Sequence, residues 1–353
     1  MPNEPARRSG AITGEVPQTL ARALDPEWLT QALSPVTGGA PVTAVTTVEV
    51  LRTMATKVRF TASFDGKTEG FCLKAFLDVD AENARGGVVS IKEADFYAEL
   101  APRLSVRVPT CVAAIVDREA QRGVVIMRDL VRDGARFCTA LEAFDVHAAA
   151  RSLEQLARLH TNLAALAATP WVGRRIADLA RGTYVPQPML QQLLDGPRGE
   201  GLPIRTRDAA LLLAAMSALA MRDELRPQML VHGDSHAGNI FQTAEGPGLI
   251  DWQLLQRGGW ALDVAYHIAA VLSVELAEKE ERVLLNHYLD TARSLGGSIP
   301  GLDEAWEQYR MSVVYGYFLW SITRRVDPAI INVFVNRLGS AVTRHESFRL
   351  LGV

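Results

Sequence analysis

The chain of 353 residues has little cysteine, little lysine and no long uninterrupted apolar run. Its three cysteines, Cys72, Cys111 and Cys138, form no C-x-x-C pair. That excludes a disulfide framework and predicts a reducing, cytoplasmic setting. Neither sign of charge prevails, since 37 Lys plus Arg against 40 Asp plus Glu leave a formal net charge of −3. Such a balance offers no electrostatic footprint for nucleic acid or for an anionic membrane. The longest near-continuous apolar run, 209–221, falls short of the ~20 residues that span a bilayer. No apolar stretch follows Arg7 and Arg8, so no signal peptide is read. What is present is ordinary for a globular protein, with 48% hydrophobic and 22% charged residues, which excludes a disordered or fibrous chain. At ~150 residues per domain the length allows two compact units or one large bilobal one.

Residues 1–23 are rich in Pro, Gly, Ser and Arg without periodicity and read as a loose leader. Stretches 42–51 and 58–64 are β-branched and alternating, and 71–77 is mostly apolar, which predicts strands. Asp65-Gly66 marks a turn between the last two. A helix from 90 to 100 interrupts the strands, and another apolar run covers 123–127. Beyond residue 128 the texture becomes helical, over 141–168, 207–225, 262–272, 275–295 and 302–325. A Pro- and Gly-rich stretch at 182–203 separates the first two of these helical segments. One short strand pair, 240–242 and 248–251, is joined across Glu245-Gly246-Pro247. The division predicted is 24–128 as a sheet-rich part and 129–353 as a helical part.

One segment carries most of the chemistry: His232-Gly233-Asp234-Ser235-His236-Ala237-Gly238-Asn239, followed by Leu249-Ile250-Asp251-Trp252-Gln253. Asp234 and Asn239 lie five apart on a loop that enters the predicted hairpin. Asp251, at the far end of that hairpin, folds back beside Asn239. One carboxylate, Asp234, is then free as a proton acceptor, while an amide oxygen and a second carboxylate converge as hard ligands suited to Mg²⁺. Phosphoryl transfer divides its labour in this way. It also needs a cation on the phosphates. Of the five lysines (Lys57, Lys67, Lys74, Lys92 and Lys279), only Lys74 lies in a strand apolar on both sides, Phe71-Cys72-Leu73-Lys74-Ala75-Phe76-Leu77. A buried ammonium needs a carboxylate or phosphate partner, and the other reading is an edge-strand lysine reaching water. Glu93 shares a helical face with Tyr97, Leu100 and Leu104 and is the candidate partner. The same glutamate would also close a capping box, Ser90-Ile91-Lys92-Glu93, with Glu99 as the reserve partner for Lys74.

The composite H-G-D-x-H-x-x-N followed by I-D-W resembles the aminoglycoside phosphotransferase and choline kinase-like superfamily, over about residues 40–325. The resemblance implies an α+β, bilobal protein-kinase-like fold with a small sheet-rich N-lobe and a larger helical C-lobe. It implies an ATP- and Mg²⁺-dependent kinase that moves the γ-phosphate to a hydroxyl of a small molecule. Asp234 is then the catalytic base, Asn239 and Asp251 the metal ligands, and Lys74 with Glu93 the ATP-binding clamp. Val124-Val125-Ile126-Met127-Arg128-Asp129-Leu130 resembles the hinge of that superfamily, with the Arg128 carbonyl and the Leu130 N–H facing the adenine. Leu156-Ala157-Arg158-Leu159-His160 resembles its L-A-x-L-H helix, and a lone histidine on an apolar face is a hydrogen-bonded core residue. Asp263, in Leu262-Asp263-Val264-Ala265-Tyr266, matches the buried D-x-A aspartate that braces the catalytic loop, and His232 supports the same loop. Two departures stand out. The stretch 50–57, where the family places a glycine-bearing turn, has no glycine, leaving Thr53 and Thr56 as candidate phosphate donors. Asp-Trp-Gln also replaces Asp-Phe-Gly, so no protein-kinase-style flip is expected there.

Three other readings compete. His232, Asp234 and His236 alternate like zinc ligands, but the remaining histidines are scattered singly. Gly233-Asp234-Ser235 imitates the G-D-S of serine esterases, yet it lies past the middle of the chain and lacks their Asp-x-x-His spacing. A non-catalytic nucleotide-binding regulator is the more serious rival, supported only by the missing glycine. For the acceptor, residues 271–353 hold ten acidic and nine basic residues, a balance that does not suit a polycationic antibiotic. The aromatic residues Trp306, Tyr309, Tyr315, Tyr317, Phe318 and Trp320 read mostly as helix packing, with part available to an apolar or amphipathic acceptor. The segments from Lys74 to the hinge lean toward the ecdysteroid kinase-like branch.

Overall fold

The computed structural model describes residues 12–79, 87–181 and 184–353. The chain divides into two compact units: residues up to Arg103 with Val108–Ala135, and Leu104–Arg107 with Arg136–Val353.

Unit one contains β1 (Ile12–Thr13), α1 (Leu20–Ala23), α2 (Pro26–Ala32), α3 (Ser34–Thr37), β2 (Ala44–Arg52), β3 (Thr56–Phe64), β4 (Lys67–Ala75), α4 (Gly87–Asp95), β5 (Cys111–Asp117) and β6 (Arg122–Arg128). Its sheet has the order β1-β5-β6-β4-β3-β2. Strict alternation along β3 sends Val58, Phe60, Ala62 and Phe64 to a buried face and Lys57, Arg59, Thr61 and Ser63 to the other. Asp65 and Gly66 both have positive φ, 48° and 69°, the geometry that lets a two-residue turn follow the strand twist. On the apolar face, Phe60, Phe71, Leu73 and Ile126 pack against Trp28, Leu29 and Leu33. Each such side chain contributes about 1.5–3 kcal/mol when fully buried.

Two expectations change here. Residues 12–23, read as a loose leader, are built into the unit. Ile12 pairs in parallel with Ile115, the Thr19 side chain caps α1, and Val16 and Ala23 are buried. Composition reported the breakers in that stretch and not the partners that hold it. Ser90, expected to open a capping box, instead lies inside α4. Its Oγ donates to the Gly87 carbonyl at 2.7 Å and accepts from the Gly123 N–H at 3.0 Å. A Cβ on Gly123 would stand 2.5 Å from the Ser90 carbonyl oxygen, so glycine is what allows α4 to lie this close to β6. A two-bond Arg118–Asp95 pair (2.7 and 3.1 Å) ties the end of α4 to the β5–β6 hairpin, and the helix continues as a π turn over Phe96–Leu100.

Unit two contains β7 (Arg136–Phe137), α5 (Val146–His160), α6 (Leu163–Ala167), α7 (Arg175–Ala180), α8 (Gln187–Asp195), α9 (Ala209–Glu224), β8 (Met229–Val231), β9 (Ile240–Thr243), β10 (Gly246–Leu249), β11 (Gln256–Gly258), α10 (Ala261–Val271), α11 (Val274–Ser294), α12 (Leu302–Ile322), α13 (Pro328–Arg344) and α14 (Ser347–Leu351). Asp145, Asp208, Ser273 and Asp327 open α5, α9, α11 and α13 by accepting from the first-turn N–H groups. Every residue of α10 is buried, its Ala, Leu, Val and Ile by packing and its Asp263, Tyr266 and His267 with hydrogen-bond partners. The strand content exceeds the single pair expected. β7 joins the β9–β10 hairpin, and β8 pairs antiparallel with β11. Likewise α8 occupies part of the 182–203 stretch read as a separator. Among the described residues no helix is long and apolar enough to cross a membrane.

Candidate active site

The loop after β8 turns on Gly233, whose φ is +81° and whose absent Cβ would meet the Leu254 carbonyl oxygen at 2.4 Å. Only glycine satisfies both constraints. Asp234 follows, and its carboxylate is held from two sides. Tyr266 donates its hydroxyl to Oδ1 at 3.0 Å, and Asn239 Nδ2 donates to Oδ2 at 3.0 Å and to the Asp234 carbonyl at 2.8 Å. Asn239 Oδ1 is left without a donor among the described residues, so an oxygen ligand is available. Its backbone carbonyl accepts from Ile250 N–H at 3.0 Å, which folds the end of the β9–β10 hairpin back to the loop. Asp251, the next residue, adopts a left-handed conformation (φ 64°, ψ 70°), uncommon for a side chain with a Cβ. Asp251 thus follows directly on the residue whose N–H is bonded to the Asn239 carbonyl.

His236 Nδ1 accepts from the Gly238 N–H at 3.1 Å, which leaves Nε2, 3.5 Å from Asp234 Oδ2, to carry the ring proton. Burial works to raise the Asp234 carboxyl. His236, by charge and by hydrogen bond, and then His232 outweigh it against the opposing Asp251, so Asp234 titrates below its ordinary value. It is an ionised acceptor throughout the neutral range. Tyr266 moves the other way: burial first, then the Asp234 charge, hold its hydroxyl well above the ordinary tyrosine range. It stays a donor.

The loop is braced from α10. Asp263 accepts from the His232 N–H at 2.7 Å and the Gly233 N–H at 2.8 Å, while Ser235 Oγ donates to its carbonyl at 2.9 Å. His160 sits fully buried between Asp263 Oδ2 (3.1 Å) and the Tyr288 hydroxyl (2.7 Å). His232 Nε2 donates to the Ile250 carbonyl at 2.9 Å and its Nδ1 accepts from the Asp234 N–H at 3.2 Å. Both of its nitrogens are therefore used within the protein, which removes the zinc reading, and among the described residues no cluster of three or more His, Cys, Asp and Glu could hold a metal ion. Ser235 is buried and engaged with Asp263, which removes the esterase reading.

Unit one contributes a separate set. Lys74 Nζ lies 2.9 and 2.8 Å from the two Glu93 oxygens, both residues being about 95% or more buried. Glu93 makes this ion pair, and no capping box forms. At the end of β6 the Arg128 N–H bonds to the Thr110 carbonyl at 2.9 Å, and its side chain pairs with Glu69 and covers the Phe71 ring. The Leu130 N–H has no acceptor among the described residues. Arg59, on the lysine-bearing face, grips Asp129 through Nε and Nη2. In the glycine-free turn, Thr53 spends both its N–H and its hydroxyl on the Ala55 carbonyl (3.2 and 3.0 Å), and Thr56 is buried in the ladder. The Thr53 donors are thus not free for phosphate.

Sequence reasoning missed Tyr266, Trp320, Tyr315 and Gln256. Trp320 Nε1 donates to the Tyr266 hydroxyl at 2.6 Å, and Tyr315 bonds the Gly233 carbonyl at 2.8 Å with Gln256 behind it at 2.7 Å. The available signal was the spread of hydroxyl- and indole-bearing aromatics on otherwise apolar helices, since such groups find partners when buried.

An α+β fold with an aspartate loop and a returning aspartate hairpin defines a phosphotransferase class. A model of the "Phosphotransferase enzyme family" matches residues 79–298, and the chain belongs to that family. It is 30% identical over 123 residues to thiamine kinase of Escherichia coli K12, which is 34% of this chain and 43% of that protein. The match thus spans less than half the length of that relative. Choline kinase from Cryptosporidium parvum Iowa II superposes with a TM-score of 0.53 at 11% identity, covering 92% of this chain and 95% of that one. A choline/ethanolamine kinase family protein from Mesorhizobium loti gives 0.50 at 17%, covering 92% and 97%. At these identities the likeness is one of fold, the protein-kinase-like fold of the phosphotransferases.

Proposed function

We propose that the protein is a small-molecule kinase that uses ATP and Mg²⁺ to phosphorylate an alcohol. The observation that carries this is the Asp234 carboxylate, held by Tyr266 and Asn239 with Asp251 on the returning hairpin. In this reading Asp234 orients the acceptor hydroxyl and takes its proton as the phosphoryl group arrives. A carboxylate has about four lone-pair sites, so two remain after Tyr266 and Asn239 are served. The low proton affinity of Asp234 suits a loose transition state, in which the proton is taken late. Asn239 Oδ1 and Asp251 are the residues that would hold Mg²⁺, which would neutralise phosphate charge there. Residues 24–128 form the nucleotide-binding part, with Lys74, oriented by Glu93, on the phosphates and the unused Leu130 N–H and the Arg128 carbonyl on the adenine edge. Residues 129–353 carry the loop and the acceptor site, with His232 and Asp263 as its support. The acceptor is a small molecule, and the free thiols fit a reducing cytoplasm.

Calorimetry with ATP, with and without Mg²⁺, tests the metal and nucleotide assignments. Wild type should bind in a Mg²⁺-dependent way that Asp251→Ala destroys. Asp234→Asn should bind nucleotide normally and lose about 10²–10⁴-fold in phosphate transfer to a panel of small alcohols. Full turnover by that variant would remove Asp234 as the base. Nucleotide binding without transfer to any alcohol, by wild type, would instead support the non-catalytic regulator.

A further inference from the structure

On the lysine-bearing face of the unit-one sheet, one cation is left out of the ion pairs that engage its neighbours. Lys57 and Lys74 are directly opposed across β3 and β4. Residues so placed project from the same face with their Cβ atoms about 5 Å apart, and like charges there repel. Lys74 is neutralised by Glu93. Arg59, two residues along, is neutralised by Asp129 and Glu49. Lys57 has no carboxylate at ion-pair distance among the described residues, although its side chain is only partly exposed. Its other cross-strand neighbour is Leu51. The Cys72 thiol, on the same face, lies within the field of all three cations.

The turn next to Lys57 is the one that lacks glycine, and both donors of its Thr53 are already consumed. Thr53 gives both its N–H and its hydroxyl to Ala55, Thr56 is buried, and Met54 projects into solvent. A polyphosphate approaching this end of the sheet finds both Thr53 donors already engaged with Ala55. It meets the Lys57 ammonium beside Lys74.

We propose that Lys57 is a second phosphate-binding residue, which with Lys74 forms a two-lysine clamp selective for nucleoside di- and triphosphates in place of a glycine turn. The proposal rests on the reading of unit one as the nucleotide site. A bound polyanion relieves the Lys57–Lys74 repulsion that the protein alone must tolerate, so the same pair that costs stability in the free protein contributes affinity in the complex.

The test compares wild type, Lys57→Met and Lys57→Arg by calorimetry with ATP, ADP, AMP and adenosine, alongside thermal unfolding of each protein. Charge-assisted contacts of this kind predict that Lys57→Met weakens ATP binding about 10- to 100-fold, leaves adenosine binding unchanged, and is rescued by Lys57→Arg. The free Lys57→Met protein should melt no lower than wild type, while its stabilisation by ATP shrinks. ATP affinity unaltered in Lys57→Met overturns the clamp. An equal loss for ATP and adenosine overturns it too, by assigning Lys57 a structural role. Wild type that binds neither ATP nor adenosine overturns the nucleotide-site reading beneath it.

Discussion

Asp234 does not stand alone in its loop: two donors fix its rotamer, and one of them, Tyr266, is itself fixed by the Trp320 indole. A hydrogen bond to a charged group contributes about 1.5–3 kcal/mol, enough to decide where the carboxylate points. Tyr266→Phe keeps the ring and removes the donor to Asp234 together with the acceptor of the Trp320 indole N–H. It should lower kcat about 10- to 100-fold while leaving KM for ATP unchanged. Steady-state kinetics with both substrates varied would expose a merely structural role as a parallel loss in both parameters. Asp234, Asn239 and Asp251 were legible because their spacing is local, within one loop and one hairpin. Tyr266 and Trp320 were not. They reach the loop from α10 and α12, and on helices otherwise apolar an aromatic side chain reads as core, because the sequence does not reveal where a hydroxyl or an indole N–H finds its partner.

Among the elements, α4 is closely fitted to its neighbour. It touches β6 through a gap that only hydrogen fills, at Gly123, and that contact sets how far Glu93 reaches toward Lys74. Gly123→Ala would place a methyl 2.5 Å from the Ser90 carbonyl oxygen, and overpacking of this kind costs about 1–3 kcal/mol. The expected outcome is a lower urea midpoint together with a raised KM for ATP, since the helix must shift and take Glu93 with it. A fall in stability with KM untouched would mean that α4 tolerates the methyl without moving its glutamate. The strands β2 to β4 were readable from alternation and from Asp65-Gly66. β5 was not: Cys-Val-Ala-Ala-Ile-Val-Asp is a short, nearly continuous apolar run, which periodicity alone does not distinguish from a buried helical turn. The capping box failed for a related reason. Ser90 and Glu93 have the right spacing, but each found a stronger tertiary partner, Gly123 and Lys74.

For the molecule as a whole, part of the response to acid is set by a buried histidine behind the candidate catalytic loop. His267, buried in α10, donates Nδ1 to the Ser235 carbonyl at 2.8 Å, and burial pushes its pKa down from 6.5 to about 4. The folded state therefore refuses a proton that the unfolded chain accepts. Stability from this group is complete above about pH 6.5, falls as the pH drops from there to about 4, and changes no further below, a loss of roughly 3 kcal/mol. Asp234, held below its ordinary value chiefly by His236, is ionised over the upper part of that window. An acidic decline in activity between pH 6 and 4 should thus coincide with loss of folded protein. Urea midpoints measured across that range should slope in wild type and flatten in His267→Gln. A slope that persists in the variant would move the effect to other groups.

The parallel pairing of β1 with β5 has a consequence for how the protein is made. Ile12 leaves the ribosome about a hundred residues before Ile115, its partner, an interval of roughly 5–20 s at ordinary rates of synthesis. Through that interval and until β6 follows, the growing chain holds an unfinished sheet, because β5 and with it β1 join the earlier strands only by way of β6.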